Sequence, residues 1–484
     1  MRFNFRQILR LLGLLIIFNG CFMTTCIPFS LYYQETSWKP ILISSVLSIS
    51  LGLIIWIFFK TTDDPELRKR DGYLIVTFGW LAMSLTGSLP YVFSGAIPHY
   101  ADAFFETISG YTTTGASILT DIESLPKGIL FWRSLTQWIG GMGIIVLAVA
   151  ILPILGIGGM QLFIAESPGI SPDKLKPRIR ETAIRLWLIY LVLTTMEFTL
   201  LMIGGMSFYD AINHSLTTMA TGGFSTKNAS IAHFSNPFIH YVITVFMFLA
   251  GTNFTLTYFG LHGHVKKIWQ NEEFRFYFIF TVIFGILIAL AIMVFSTENF
   301  ESAFRGSLFT VVSIVSTTGY VTLDYTAIHP LITVVFFMLM FIGASAGSTA
   351  GGVKVIRHVI LVKNSLLELQ RLLHPNAVLP VRINKKAVSK DITFNVLAFM
   401  IIYFMVFAAG SVIMSLMGVD FATALGSVAT SVGNIGPGIG SVGPVNNFAH
   451  IPFPGKWFLS FLMLLGRLEL FTVLILFSPY FWRK

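Results

Sequence analysis

The chain has 484 residues, 55% of them hydrophobic and only 11% charged, with a formal net charge of +9 and a mean hydropathy of +0.76. That balance excludes an ordinary soluble globular domain, in which about a quarter of residues are charged. The positive charge is divided among the connections between apolar stretches instead of forming one patch, which argues for membrane topology and against a nucleic-acid partner.

Arg2, Arg6 and Arg10 precede an apolar run near 11–32. It begins like a secretory signal but is longer than an h-region and lacks a small-residue cleavage pattern, so it is read as the first membrane span. Cys21 and Cys26 lie five apart inside it and are read as packing residues, with neither a disulfide nor a metal site indicated. A second span near 41–59 completes an N-terminal hairpin, residues 1–70. Eight further stretches follow, near 72–93, 130–153, 184–205, 238–260, 276–295, 331–353, 393–417 and 457–481. Each supplies the roughly 20 residues an α-helix needs to cross about 30 Å of hydrocarbon.

Basic residues recur on every second connection. After the N-terminal three come Lys60, Arg68, Lys69 and Arg70, then Lys174, Lys176, Arg178, Arg180 and Arg185, then Lys266, Lys267 and Arg275, then the segment 354–390, and finally Arg483 and Lys484. The positive-inside rule places these connections in the cytoplasm, and an even number of spans leaves both termini there.

On the opposite side four polar stretches resemble one another: Ser109-Gly-Tyr-Thr-Thr-Thr-Gly115, Thr217-Thr-Met-Ala-Thr-Gly-Gly223, Ser316-Thr-Thr-Gly319 and Ser431-Val-Gly-Asn-Ile-Gly436. Aligning their last glycines divides the rest of the chain into four units, 71–180, 181–272, 273–388 and 389–484. The segment before each loop is too short or too polar to cross, and is read as a helix that enters partway and turns back. Asp102, Asp210, Glu301 and Asp420 stand near the starts of these helices, where carboxylates favour the positive end of the helix dipole and leave the negative end facing the loop. Gly lets successive carbonyls turn toward an axis, and Thr adds a hydroxyl oxygen, so the loops suit a hard cation stripped of water. The expected architecture is thus all-α and integral to the membrane, with two extra spans followed by four parallel repeats around a pseudo-fourfold pore.

The four loops, the order of spans and re-entrant helices, and the two extra spans together resemble the Trk, Ktr and HKT superfamily of potassium transporters. The signatures are Thr113, Thr114 and Gly115; Thr221, Gly222 and Gly223; Thr317, Thr318 and Gly319; and Asn434, Ile435 and Gly436, with the run from Gly140 to Pro153 matching the first helix after a filter. The two extra spans favour the TrkH branch over KtrB. The resemblance implies that these twelve residues hold potassium, with no bound cofactor. It also implies uptake across a bacterial inner membrane, a homodimer among membrane lipids, and control by a cytosolic ring of nucleotide-binding TrkA-like subunits. The fourth loop departs from the plainer pattern, because Asn434 and Ile435 replace hydroxyl-bearing residues; weaker discrimination against sodium is expected.

The run 343–352 holds Gly343, Gly347, Gly351 and Gly352. It reads either as a break in the helix or, with three glycines spaced by four, as a helical packing face; the resemblance implies an intramembrane gate. Arg467 lies within the last span, where a charge is costly and is either paired or facing water. It is expected to face the pore under the filter and restrict cations, the competing reading being a structural pair with Glu197 or Glu106. The segment 354–390 is expected to meet the regulatory subunit or anionic headgroups. Gly438-Ile-Gly-Ser-Val-Gly443 has dinucleotide-fingerprint spacing without the strand it requires, and His262, His264 and His214 are read as solvated or packed, not ligating. Ion-coupled secondary transport is the alternative function. Enzymatic activity is not expected, since Glu197, Arg467 and Glu469 form no shared motif.

Overall fold

The computed structural model of the chain describes residues 3–60, 68–143, 179–296 and 299–483. The second part of the stretch near 130–153 and the basic residues Lys174, Lys176 and Arg178 lie outside the described residues. Apart from one short hairpin, Arg382–Ile383 paired antiparallel with Lys386–Ala387, the regular structure among them is helical.

Small residues set the first packing. Helices Phe5–Thr24 and Trp38–Phe58 cross where a methyl on Gly13 would lie 2.8 Å from the Gly52 carbonyl oxygen and one on Gly20 2.9 Å from that of Ser45. Backbones approach this closely only without side chains between them, and van der Waals contact then replaces the hydrophobic drive that lipid does not supply. Asn19 of the first helix donates to the Thr86 hydroxyl and accepts from Tyr111, fastening the hairpin to the first repeat.

Among the described residues, six helices are long and apolar enough to cross a membrane: Phe5–Tyr32, Trp38–Phe58, Arg70–Phe93, Ile184–Ile203, Glu272–Phe295 and Lys390–Leu416. Three of them present Ile54, Leu287 and Met405 outward (65%, 55% and 64% exposed), as a lipid-facing belt requires. Of the stretches read as spans, two that look continuous in the sequence are bent pairs, and the break offered for 343–352 is present. The stretch near 238–260 is two helices, Pro237–Ala250 and Phe254–Leu261, bent by 114°, and that near 457–481 is Phe453–Arg467 and Phe471–Phe477, bent by 111°. The stretch near 331–353 is helical only over Pro330–Leu339 before an irregular segment, 340–354, leads to helix Val355–Leu373. Hydropathy counts apolar residues and is blind to such breaks.

Among the described residues, a shorter helix precedes each of the four glycine loops: Tyr100–Tyr111, Phe208–Met219, Phe300–Val315 and Phe421–Gly433, of 12, 12, 16 and 13 residues. At 1.5 Å per residue they reach about 18–24 Å, short of a bilayer core. These are the pore helices. Their starts carry the acidic residues singled out in the sequence: Asp102, Asp210 and Glu301 in first turns, and Asp420 as an N-cap. Asp420 accepts from the Thr423 amide at 3.1 Å. Hydrogen bonds from the Thr423 side chain and amide hold its carboxyl below the usual range, so the cap contributes above the ordinary carboxylate pKa and is lost as pH falls through the lowered value. Asp420→Ala is expected to lower stability by about 1 kcal/mol, and Asp420→Asn, which still caps, by much less; thermal unfolding of the solubilised protein measures both.

Candidate functional site

Each pore helix ends in the same way. The amides of Thr114, Gly222, Thr318 and Ile435 donate to the carbonyls of Ser109, Thr217, Ser313 and Thr430, at 2.9, 2.9, 2.8 and 3.0 Å. This is the six-to-one bond of a Schellman motif, whose preceding residue must be left-handed. Those residues are Thr113, Thr221, Thr317 and Asn434, with φ of 52°, 53°, 58° and 52°. Three are β-branched, for which a positive φ costs about 1–3 kcal/mol each and persists only where the surroundings impose it. Two residues on, Gly115, Gly223, Gly319 and Gly436 are left-handed again (79°, 76°, 78° and 103°). Alternating handedness turns successive carbonyls to one side, the geometry of an oxygen-lined path.

The loops meet. A methyl on Gly115 would overlap the carbonyl oxygen of Gly222, one on Gly223 that of Thr318, and one on Gly319 that of Ile435, while one on Gly436 would lie 2.9 Å from that of Thr114. Each glycine thus touches the residue before the next glycine, and the fourth returns to the first. The twelve residues singled out in the sequence form one closed ring, buried except for partial exposure of Gly115 and Gly223. One face of the ring opens on a cavity lined by all four glycines together with Lys227 and Asn446.

Asn434 keeps the backbone conformation of the threonines it replaces and turns its amide sideways, donating to the Thr114 hydroxyl at 2.9 Å and the Met463 carbonyl at 2.8 Å. Asn tolerates the left-handed region better than Thr. Ile435 keeps its carbonyl in the ring although it brings no hydroxyl.

Behind the ring lies an ion pair that sequence reasoning did not assemble. Arg133 donates to Glu106 at 2.7 Å, and both are buried. Glu106 also accepts from the Ser117 hydroxyl and the Ile118 amide, each at 2.9 Å, while Arg133 reaches the Ser225 carbonyl at 3.0 Å. The pair therefore ties the first loop to the second. Glu106→Ala strands a buried guanidinium and is expected to cost about 3–5 kcal/mol, read as a lower melting temperature and loss of extractable folded protein.

Beneath the ring, segment 340–354 crosses the bundle without forming a helix. Of the two readings of 343–352, the helical packing face is therefore not the one adopted, and Gly347 and Gly352 are left-handed (74° and 64°). The segment is tied on several sides. Gly343 donates to Val353 at 2.8 Å, Gly351 to the Thr317 hydroxyl at 2.7 Å, and Ala346 to the Glu273 carboxylate at 2.7 Å. Thr349 reaches the Met219 carbonyl at the end of the second pore helix, at 3.1 Å.

Arg467 stands beside it. Its guanidinium donates to the Thr113 hydroxyl at 3.2 Å, the Thr349 carbonyl at 2.6 Å, and the Gly140 and Gly141 carbonyls at 2.6 and 3.0 Å. These acceptors belong to the first ring loop, the irregular segment and the end of helix Lys127–Gly141, so one side chain bridges three walls. The two carboxylates offered as alternative partners are not among them: Glu106 holds Arg133, and Glu197 is buried within the span Ile184–Ile203. Glu469 pairs with Arg357. A second cavity, lined by Trp80, Asn253, Ser348, Lys354, Arg467 and Glu469, opens below.

The apolar spans, broken inner helices and four re-entrant loops define a polytopic membrane protein of the re-entrant-loop class. Residues 38–484 match the family described as TrkH, cation transport protein. The chain is 42% identical over 492 residues to the Trk system potassium uptake protein TrkH of Escherichia coli strain K12, covering 99% of this chain and 100% of that one. It is 35% identical over 485 residues to TrkG of the same organism, covering 99% of each. The crystal structure of the potassium transporter TrkH from Vibrio parahaemolyticus superposes with a TM-score of 0.89 at 37% identity, covering 99% of this chain and 100% of that one. The chain belongs to the TrkH cation transport protein family.

Proposed function

We propose that this protein takes up potassium across a bacterial inner membrane, with the ion passing through the carbonyl oxygens of the Thr113–Gly115 loop and its three counterparts. The observation that carries this is the closure of the ring, in which each glycine fits only because the next loop's carbonyl occupies the place of its missing side chain. Oxygen ligands without a metal-type His, Cys or carboxylate cluster among the described residues suit a hard monovalent cation. The potassium named for the relatives supports the choice of ion.

Segment 340–354 and Arg467 then act as the restriction below the filter. A fixed positive charge and a loop in the path both oppose cation passage. Arg70 donates to the Phe481 and Arg483 carbonyls at 3.2 and 3.0 Å, so the start of the first repeat and the end of the chain share one side, and the positive-inside rule makes it cytoplasmic. Control comes from a cytosolic nucleotide-binding subunit of the TrkA type acting on the basic segment 354–390, with the protein working as a homodimer.

The test is potassium flux into liposomes containing the purified protein. Flux down a potassium gradient without any second ion supports the proposal. Flux that requires a proton or sodium gradient would replace it with coupled transport.

A further inference from the structure

The last inner helix does not break at a glycine. Its turn is made by Glu469 and Leu470, two consecutive residues of positive φ (55° and 51°), with Leu470 at ψ −62°. Such a turn persists only where neighbours hold it. The side chain that holds Glu469 is Arg357, whose guanidinium donates to its carboxylate, and the two are only 8% and 16% exposed. Arg357 lies in the first turn of helix Val355–Leu373, immediately after the irregular segment 340–354. Its guanidinium also sits 3.8 Å above the Phe399 ring, and Phe399 meets Phe471, just past the turn, at 6.0 Å. Lys354, on the wall of the same cavity, directs its ammonium to the Ala350 carbonyl. Arg357 Nη1 has no acceptor among the described residues, so the connection to the last span runs through one carboxylate and one ring.

We infer that Arg357 and Glu469 are positioning residues that clamp this positive-φ turn and so hold Arg467, two residues upstream, under the ring. The pair makes helix Val355–Leu373 a lever: displacing its start moves Glu469, and with it the span that carries Arg467. The far end of that helix leads into the basic cytoplasmic hairpin, where Lys363 joins Glu272 to the Arg382 carbonyl. A force applied in the cytoplasm thereby reaches the restriction without passing through the ring. The inference deepens the proposed role of Arg467 and rests on it.

The experiment compares the full-length protein with Glu469→Gln, Arg357→Gln, the charge-exchanged double variant Arg357→Glu with Glu469→Arg, and Arg467→Ala. Two quantities are read: basal potassium flux in liposomes, and amide hydrogen exchange over residues 467–471. Each single neutralisation is expected to raise flux about fivefold and to speed exchange in that segment, and the double variant to restore both toward wild type. Unchanged exchange in the single variants, or a double variant as leaky as the worse single one, overturns the clamp. Faster exchange with restoration in the double variant, but no effect of Arg467→Ala on flux, supports the clamp and defeats the restriction reading instead.

Discussion

Replacing Gly319 by Val is expected to abolish potassium uptake while leaving a folded protein in the membrane. The position is left-handed at φ 78°, and a Cβ there would overlap the Ile435 carbonyl oxygen and lie 2.8 Å from Pro437 Cδ. The carbonyl in the way is itself one of the proposed ion ligands, so the ring has to open to admit the side chain. Overpacking of this kind costs about 1–3 kcal/mol, which a large bundle absorbs. A displacement of about 1 Å in a positioned site, by contrast, is worth about 100-fold in rate. Gly306 supplies the control, since a Cβ there meets nothing within 4 Å, and Gly306→Ala is expected to behave as wild type. Growth of potassium-uptake-deficient cells on limiting potassium, with membrane protein levels measured alongside, reads both. Wild-type growth of Gly319→Val would remove the basis of the proposed conduction path.

Arg467→Ala is expected to raise basal flux. A full charge about 8 Å from an ion, at an effective dielectric constant of about 20, opposes it by about 2 kcal/mol, or about 30-fold. The substitution also releases the carbonyls of Thr349, Gly140 and Gly141, leaving acceptors where a passing cation meets them and freeing the irregular segment from the first repeat. Arg467→Lys keeps the charge but loses the planar fork that reaches three walls at once, and is expected to fall between the two. Unchanged or abolished flux in a well-folded alanine variant would count against a restriction at this position.

Much of the architecture was legible because membranes impose it: apolar runs, alternating cations and re-entrant loops marked by glycine and threonine leave little freedom. The fold class and family read from those features agree with the superposition on a solved TrkH structure. The breaks in the inner helices were less legible. The stretches 238–260 and 457–481 read as single spans, and the turn at Glu469 and Leu470 is made by residues with no special preference for it, while the Arg357 that pairs with Glu469 lies more than a hundred positions away. Pairing was the other blind spot. Glu106 was offered only as an alternative partner of Arg467, and nothing in sequence spacing distinguishes Arg133 from Arg467 as its partner, because the choice depends on which helix faces which. Asn434, read in the sequence only for the hydroxyl it lacks, is also suited to a strained backbone position that its counterparts occupy at greater cost.

The closed ring carries a consequence for how the protein is made. Its fourth loop, 434–436, follows the first, 113–115, by more than three hundred residues, so the ring cannot close until the fourth repeat packs beside the first. The proposed conduction path is thereby a property of the finished fold, in which Gly319 meets the Ile435 carbonyl and Gly436 the Thr114 carbonyl.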